Sequence, residues 1–179
     1  MIDWNVIVTV KEHTFEDACV YLERFGRVSS TDYYNVLAME VAEIAEFLEN
    51  LRKDLEEQTD VASLLSHVIP VSEKVDFETP SEFERKAGDI LKKWAPEIKG
   101  KTFHVRVHRR GFRSKMSSEE EERLLGGQIY DTLQEAGAEC EVDFDDPDAI
   151  VAVEILGKEA GLSLWTREDL DKYPFLGLD

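Results

Sequence analysis

Two periodicities divide the first 75 residues into strands and helices. Alternating runs that are rich in β-branched side chains predict strands at 4–10, 27–30 and 35–40. Apolar residues that recur at helical spacing predict a helix at 41–57, and a capping signal at Thr14 with a stop at Gly26 predicts another at 14–24. A last apolar run, at 63–75, predicts a strand that is broken or bent near Pro70.

The predicted order of these elements is β-α-β-β-α-β. It is the order of a ferredoxin-like domain, in which two helices cover one face of a sheet. A turn signal at Thr79-Pro80 interrupts the pattern and precedes the next helix. We therefore expect two domains, a ferredoxin-like domain at 1–77 and a second α/β domain at 78–179.

The second half of the chain again mixes helical and strand patterns. The predicted helices lie at 81–94, where Pro96 and Gly100 follow, and at 117–136, where a serine caps the start. Strands are predicted at 102–110, 140–144, 150–156 and 160–165. The fold class is therefore mixed α/β throughout, with the second domain built on a sheet of its own.

The strand at 102–110 alternates apolar and basic side chains. Phe103, Val105 and Val107 fall on one face, which we expect to be buried. The other face carries the polar residues, namely His104, Arg106, His108 and Arg110. Arg109 points with the apolar set, so it is the least secure candidate for a surface role.

Charge is distributed unevenly along the chain. Thirty-nine acidic and 21 basic residues give a net charge of −18, which repels nucleic acids at long range. The window 99–115 nevertheless holds seven Lys or Arg and no acid, so the rest of the chain carries −25. Salt screens distant acids beyond ~10 Å, so such a local patch acts at contact. One interpretation is purely structural: the arginines lie on a solvated strand edge and loop and prevent that edge from pairing with another strand. The density of arginine favours an anion-binding surface.

The helix that follows the basic loop adds a constraint. Its first turn holds Glu119–Glu122, which satisfy the helix dipole and would repel a phosphate. We therefore expect an anion to sit over the strand and the loop. Phe112, inside the loop, is a candidate for stacking on a base, and it is equally a candidate for anchoring the loop.

Other chemistries find little support in the sequence. His104 and His108 lie ~13 Å apart on a strand, too far to share an ion, so we predict no metal site. We also predict no cofactor, no catalytic residues and no enzyme, because no nucleophile motif or phosphate loop is present. Cys19 and Cys140 fit no ligand pattern, and no apolar run is long enough to span a membrane. We expect a cytoplasmic protein without a membrane partner.

The segment 103–164 resembles a THUMP domain. The resemblance rests on the basic strand, the loop, the capped helix with Leu125-Gly126-Gly127, and the run DPDAIVAVEI at 146–155. THUMP domains occur in tRNA-modifying enzymes, usually behind a ferredoxin-like domain, so the resemblance covers nearly the whole chain. It implies tRNA as the partner, not DNA, and contact with the acceptor stem or 3′ end.

The resemblance is nearest to stand-alone THUMP proteins that assist a separate tRNA-modifying enzyme, such as a cytidine acetyltransferase. We therefore expect a non-catalytic adaptor whose oligomeric state is open. The alternative is an acidic protein–protein interaction module that docks a basic partner and does not bind RNA. Under the first hypothesis the candidate RNA contacts are Lys99, Lys101, Arg106, His108, Arg109, Arg110, Phe112, Arg113 and Lys115.

Overall fold

A computed structural model describes residues 2–178, which fall into two compact units. The first unit holds residues 2–70 and the returning segment Lys172–Gly177, and the second holds Val71–Asp171. Each unit contains its own sheet. The predicted fold class, mixed α/β with two sheets, is confirmed.

The first unit has the predicted order of strands and helices. Its elements are β1 (Val6–Val10), α1 (Phe15–Leu22), β2 (Arg27–Ser30), β3 (Val36–Glu40), α2 (Ile44–Glu57), α3 (Thr59–Ala62) and β4 (Leu65–Pro70). The sheet order is β2-β3-β1-β4, and every neighbouring pair is antiparallel. The short helix α3 is an addition that the sequence pattern does not predict.

Amphipathic helices close the core of the first unit. α2 buries Phe47, Leu48 and Leu51, of which Leu48 and Leu51 belong to the apolar stripe that the sequence predicts. A 3₁₀ turn at Pro174–Leu176 also belongs to this unit, and it packs against β4. The first unit is therefore completed by residues that follow the second unit in the chain.

The second unit is a five-stranded sheet with two long helices. Its elements are β5 (Glu73–Asp76), α4 (Pro80–Ile98), β6 (Thr102–Arg110), α5 (Ser118–Glu135), β7 (Glu141–Val142), β8 (Ala149–Leu156) and β9 (Glu159–Thr166). A short helix, α6 (Arg167–Lys172), follows. The strand order is β5-β9-β8-β6-β7, with β6 parallel to both of its neighbours. β9 runs antiparallel to β8 and to β5.

The apolar face of β6 forms the centre of the second core. Phe103, Val105 and Val107 are buried, as the alternation predicts. They pack in one cluster with the inner residues of α4 and α5, including Leu91 and Leu125. The strand is therefore fixed in register, because a slip of one residue would place its arginines in this core.

Side-chain caps set the start of both long helices. Thr79 accepts a hydrogen bond from the N–H of Glu82 at 3.2 Å, with Pro80 as the first helical residue. Ser117 caps α5 through the N–H of Glu120. α4 passes the predicted end at residue 94 and continues through Pro96 to Ile98. Burial of Ala95 and Ile98 outweighs the one hydrogen bond that proline removes from the last turn.

The apolar run at 63–75 is two strands in different sheets. β4 ends at Pro70 and pairs with β1, whereas β5 pairs with β9. The units therefore divide after Pro70, while the sequence places the boundary between residues 77 and 78. The proline, which lacks an N–H, and the exposed residue Ser72 separate the two strands.

Candidate nucleic-acid interface

The polar face of β6 is organised by one buried carboxylate on the neighbouring strand. Glu154 of β8 is fully buried, and its Oε1 accepts a hydrogen bond from His108 Nδ1 at 2.7 Å. Its Oε2 accepts from Arg110 Nη1 at 2.5 Å. His108 and Arg110 are both predicted RNA contacts, but in the structure both side chains hydrogen-bond to Glu154, and the Arg110 guanidinium supplies its counter-charge. A buried carboxylate requires such partners.

Arg106 and Arg109 occupy opposite faces of β6. Arg109 pairs in register with the core residue Ile155, and its guanidinium donates to the carbonyl of Gly111 at 2.5 Å. Arg106 lies on the polar face and is partly buried. Within residues 2–178, the Nε atoms of both arginines are buried without a hydrogen-bond partner. Neither arginine is therefore a freely mobile surface cation.

His104 is part of the sheet rather than of a charged surface. Its side chain is 6% exposed, and its ring centroid lies 5.6 Å from that of Phe144. Burial, the main cause, lowers the pKa of His104, so the ring is uncharged at neutral pH.

The loop after β6 carries two exposed cations. Gly111 and Phe112 have φ angles of 100° and 53°, which turn the chain away from the strand. The Phe112 ring packs on Phe77 at a centroid distance of 5.3 Å and joins the core. Arg113 and Lys115 stand exposed at the tip of this anchored loop. Of the two roles left open for Phe112, the contact with Phe77 favours the loop anchor.

Two further exposed lysines lie at the opposite end of β6. Lys99 and Lys101 flank Gly100, whose φ of 74° ends α4. The eight steps from Thr102 to Arg110 extend roughly 26 Å at ~3.3 Å per residue. The basic window is therefore not one patch. It forms two exposed groups of cations at the two ends of a strand, with arginines that are partly buried between them.

Acidic residues of α5 border the loop group. Glu119 and Glu120 are exposed in the first turn, as expected from their charge and position. The next residue, Glu121, is only 4% exposed, and burial together with the neighbouring Glu84 raises its pKa to about 7. Glu122 Oε1 accepts a hydrogen bond from the N–H of Val107 at 2.9 Å. This contact covers part of the β6 edge beyond the two residues that pair with β7.

The roles of three important side chains were not predicted from the sequence. Glu154 is a single charge inside the apolar run IVAVEIL, a signal that could have marked a buried ion pair. Glu121 and Glu122 belong to a run of four glutamates, in which nothing distinguishes a buried position from an exposed one. Their roles follow from the packing of α5 on α4 and β6.

Residues 2–178 contain neither a metal-binding cluster nor a membrane-spanning helix. Across residues 2–178, no three His, Cys, Asp or Glu side chains are close enough to hold a metal ion. None of the helices in this range is sufficiently long and apolar to cross a bilayer. Cys19 and Cys140 are free thiols whose pKa is raised by burial.

The second unit coincides with a known family. The THUMP domain family model matches residues 69–164, slightly more than half of the chain. The chain therefore belongs to the THUMP domain family, as the sequence resemblance predicts.

Curated relatives match a larger part of the chain. A tRNA sulfurtransferase of Haemophilus influenzae (strain 86-028NP) is 29% identical over 163 residues, which cover 85% of this chain and 32% of the relative. A tRNA sulfurtransferase of Serratia proteamaculans (strain 568) is 27% identical over 180 residues, or 94% of this chain and 35% of the relative. The chain thus spans about a third of the length of the relatives it matches.

Solved structures share the fold. TrmN from Thermus thermophilus superposes with a TM-score of 0.58 at 19% identity, over 89% of this chain and 44% of that one. A 4-thiouridine synthetase, solved with RNA and bound ATP, gives a TM-score of 0.55 at 17% identity, over 92% of this chain and 42% of that one. At these identities the likeness concerns the fold alone.

The prediction that the protein is not an enzyme is wrong. The curated relatives that align with most of this chain bear the name of an enzyme, tRNA sulfurtransferase. The match links the chain to enzymes of tRNA modification, and the expectation of a purely non-catalytic adaptor does not stand.

Proposed function

We propose that this protein binds tRNA through the exposed cations at the two ends of β6 and serves in an enzymatic modification of that tRNA. The observation that carries the proposal is the arrangement of Lys99 and Lys101 at one end and of Arg113 and Lys115 at the other. No acidic residue lies between positions 99 and 115. Membership of the THUMP family supports the same function.

The predicted RNA-binding residues fall into two classes under this proposal. The four exposed cations contact phosphates directly. Arg106 and Arg109 are partly buried, so they contribute to the local potential and bind RNA only where it reaches the strand. His108 and Arg110 hydrogen-bond to Glu154, so their role is to stabilise the sheet and not to contact RNA. Phe112 fixes the loop that presents Arg113 and Lys115.

A duplex stem followed by a single strand fits two groups of cations separated by roughly 26 Å. Proteins meet an A-form stem through its phosphates and shape, because its major groove is closed to side chains. We therefore retain the acceptor stem and 3′ end as the proposed part of the tRNA.

The reaction served is sulfur transfer to tRNA, which the names of the relatives favour over the cytidine acetylation that the sequence resemblance implied. The involvement of a separate tRNA-modifying enzyme as a partner stays a prediction.

The salt dependence of tRNA binding tests this proposal. Each phosphate contact on a duplex contributes about −0.9 to the slope of log K against log salt. Four exposed contacts give a slope of about −3.6, whereas engagement of all seven Lys and Arg in the window gives about −6. A slope near zero, or no binding at low salt, would overturn the proposal. A tRNA without its 3′ single strand shows whether that end contributes.

The acidic first unit supports a second candidate function. Its residues 2–70 and 172–177 include fourteen acidic and six basic side chains, a net charge of −8. Such a unit could dock a basic protein by charge complementarity. If this were the sole function, reversal of Arg113 would leave every binding measurement unchanged, whereas reversal of acids in the first unit would abolish partner binding.

A further inference from the structure

A groove of about 450 Å³ lies in the second unit at the end of the sheet where β6 and β8 begin and β9 ends. Trp94 of α4 and Leu164 of β9 form its apolar lining, and both pack against the core. Polar lining comes from Glu97, Lys101 and Thr166. A volume of ~300–1,000 Å³ with a few convergent polar groups is typical of sites for small ligands.

Trp94 differs from the other two tryptophans of the chain. Trp4 is fully buried, and Trp165 is 9% exposed with its indole N–H donating to Ser163 at 2.8 Å. Trp94 is only half-buried, and its indole N–H has no hydrogen-bond partner in the part of the chain that the structure describes. Trp94 is therefore the tryptophan that a ligand in solution can reach.

The two charged residues of the groove are also available. The side chains of Glu97 and Lys101 are exposed, and neither forms an ion pair or a hydrogen bond within residues 2–178. Glu97 lies on the same helix as Trp94, and Lys101 belongs to the exposed cation group at this end of β6. One lining therefore offers an aromatic ring, a hydrogen-bond acceptor and a cation.

We propose that this groove binds one unpaired nucleotide whose base carries an exocyclic amino group. The base stacks on the Trp94 indole, because aromatic rings bind nucleobases by their faces. The Glu97 carboxylate accepts a hydrogen bond from the amino group, as acidic side chains do with cytosine N4. Lys101 pairs with the phosphate. The inference rests on the proposed function, and it extends that function from phosphate contacts to the recognition of a base.

Selectivity follows from the acceptor. Cytosine, adenine and guanine each offer an amino group to Glu97, whereas uracil presents a carbonyl oxygen at the position where cytosine has its amino group. A carboxylate facing that oxygen has no hydrogen to accept. The groove therefore binds CMP in preference to UMP.

Tryptophan fluorescence of the full chain gives a direct test with mononucleotides. We expect CMP to quench the fluorescence in a saturable manner, and UMP to bind at least about 5-fold more weakly, since one hydrogen bond to a charged group is lost. Trp94→Phe should remove the CMP-dependent change. The matched control, Trp165→Phe, should retain it because the Trp165 indole is buried.

Two further variants separate the roles of the charged residues. Glu97→Gln should bring CMP and UMP to similar affinity, because an amide can donate as well as accept. Lys101→Met should weaken CMP but leave the nucleoside cytidine unchanged. Lys92→Met, an exposed lysine of α4 outside the groove, is the control for net charge.

The result that overturns the inference is quenching by CMP that persists in Trp94→Phe, or equal binding of CMP and UMP to the parent protein. Absence of CMP quenching also overturns it. If tRNA binding keeps its steep salt dependence in that case, the groove assignment fails while the proposed function stands. If tRNA itself does not bind, the proposed function fails first.

Discussion

Arg110 and Glu154 form an ion pair between adjacent parallel strands, with 2.5 Å between Nη1 and Oε2. Glu154 is fully buried, and His108 occupies its other oxygen. Removal of one partner from a buried pair typically costs ~3–5 kcal/mol, since an unpaired charge stays behind. We expect Arg110→Met to lower the melting temperature by roughly 10 °C.

A double variant provides the control for this ion pair. Arg110→Met combined with Glu154→Met removes both charges, so it should recover much of the lost stability. Thermal unfolding of the two variants measures the difference. Equal destabilisation by the single and the double variant would contradict a pairing role for Arg110.

Substitution of Arg113 should lower the affinity for tRNA and leave the stability nearly unchanged. Its side chain is exposed at the tip of the loop, so Arg113→Glu should change the melting temperature by no more than about 1 °C. The affinity for tRNA should fall several-fold, and the salt slope should decrease in magnitude by about 1. Binding isotherms at several salt concentrations give both quantities. A large loss of stability with unchanged binding would disprove the assignment.

Phe112 tests whether the loop anchor and the RNA contact are distinct. The ring packs on Phe77 in the core, so Phe112→Ala should cost about 2 kcal/mol of unfolding free energy. Phe112→Leu keeps most of the apolar contact and should preserve both stability and tRNA affinity. If the leucine variant folds normally and loses affinity, Phe112 stacks on a base after all.

The carboxyl of Glu121 makes the stability of the second unit depend on pH. Burial and the nearby Glu84 and Glu120 raise its pKa to about 7 from 4.5, so the folded state binds a proton that the unfolded state releases. Stability is therefore greatest below pH 4.5 as far as this group is concerned, and it declines as pH rises toward 7.

Glu121→Gln should accordingly stabilise the protein by about 1–2 kcal/mol at pH 8 and by much less at pH 5. Denaturant unfolding at the two pH values measures the effect. The exposed Glu119 of the same turn, which is not among the groups that raise the pKa of Glu121, supplies the matched variant, Glu119→Gln, for which we expect a smaller difference between the two pH values. A pH-independent gain in the Glu121 variant would contradict the shifted carboxyl.

Glu49 shows the opposite dependence in the first unit. It accepts hydrogen bonds from Lys172 at 2.8 Å and from Tyr173 at 2.6 Å, and these contacts, with Arg52, lower its pKa to about 2. The stabilisation is present above pH 4.5 and is lost as pH falls toward 2.

Glu49→Gln should therefore increase hydrogen exchange in the segment Lys172–Gly177 at neutral pH. The exposed Glu46 of the same helix provides the control, Glu46→Gln. If hydrogen exchange in this segment is unchanged in the Glu49 variant, the contacts of Glu49 do not hold the segment to the first unit.

The sequence predicts the helices well at positions where a single residue determines where a helix begins. Thr79-Pro80 starts α4 and Ser117 starts α5, because a cap acts on its own first turn. Prediction from the sequence fails where contacts between residues that are distant in the chain determine the structure. Pro96 does not end α4, since burial of Ile98 stabilises the last turn. The separation of β4 from β5 depends on their partners β1 and β9, which no local pattern reveals.

The candidate interface was predictable in composition but not in geometry. Alternation along 102–110 correctly assigns the buried face of β6. It cannot show that Glu154 lies beside His108 and Arg110, because the two strands are separated by about forty residues of sequence. The basic window at 99–115 therefore contains both exposed cations and cations whose side chains already have partners within the fold.

The return of Lys172–Gly177 to the first unit makes the second unit an insertion within it. During synthesis on the ribosome, the strands β1 to β4 emerge first, yet Tyr173 reaches Glu49 only after the whole inserted unit has emerged. Domains generally fold as units and in order from the N-terminus. Here the inserted unit can finish folding before the unit that precedes it, so the first-made part of the chain gains some of its contacts only after the inserted unit has been synthesised.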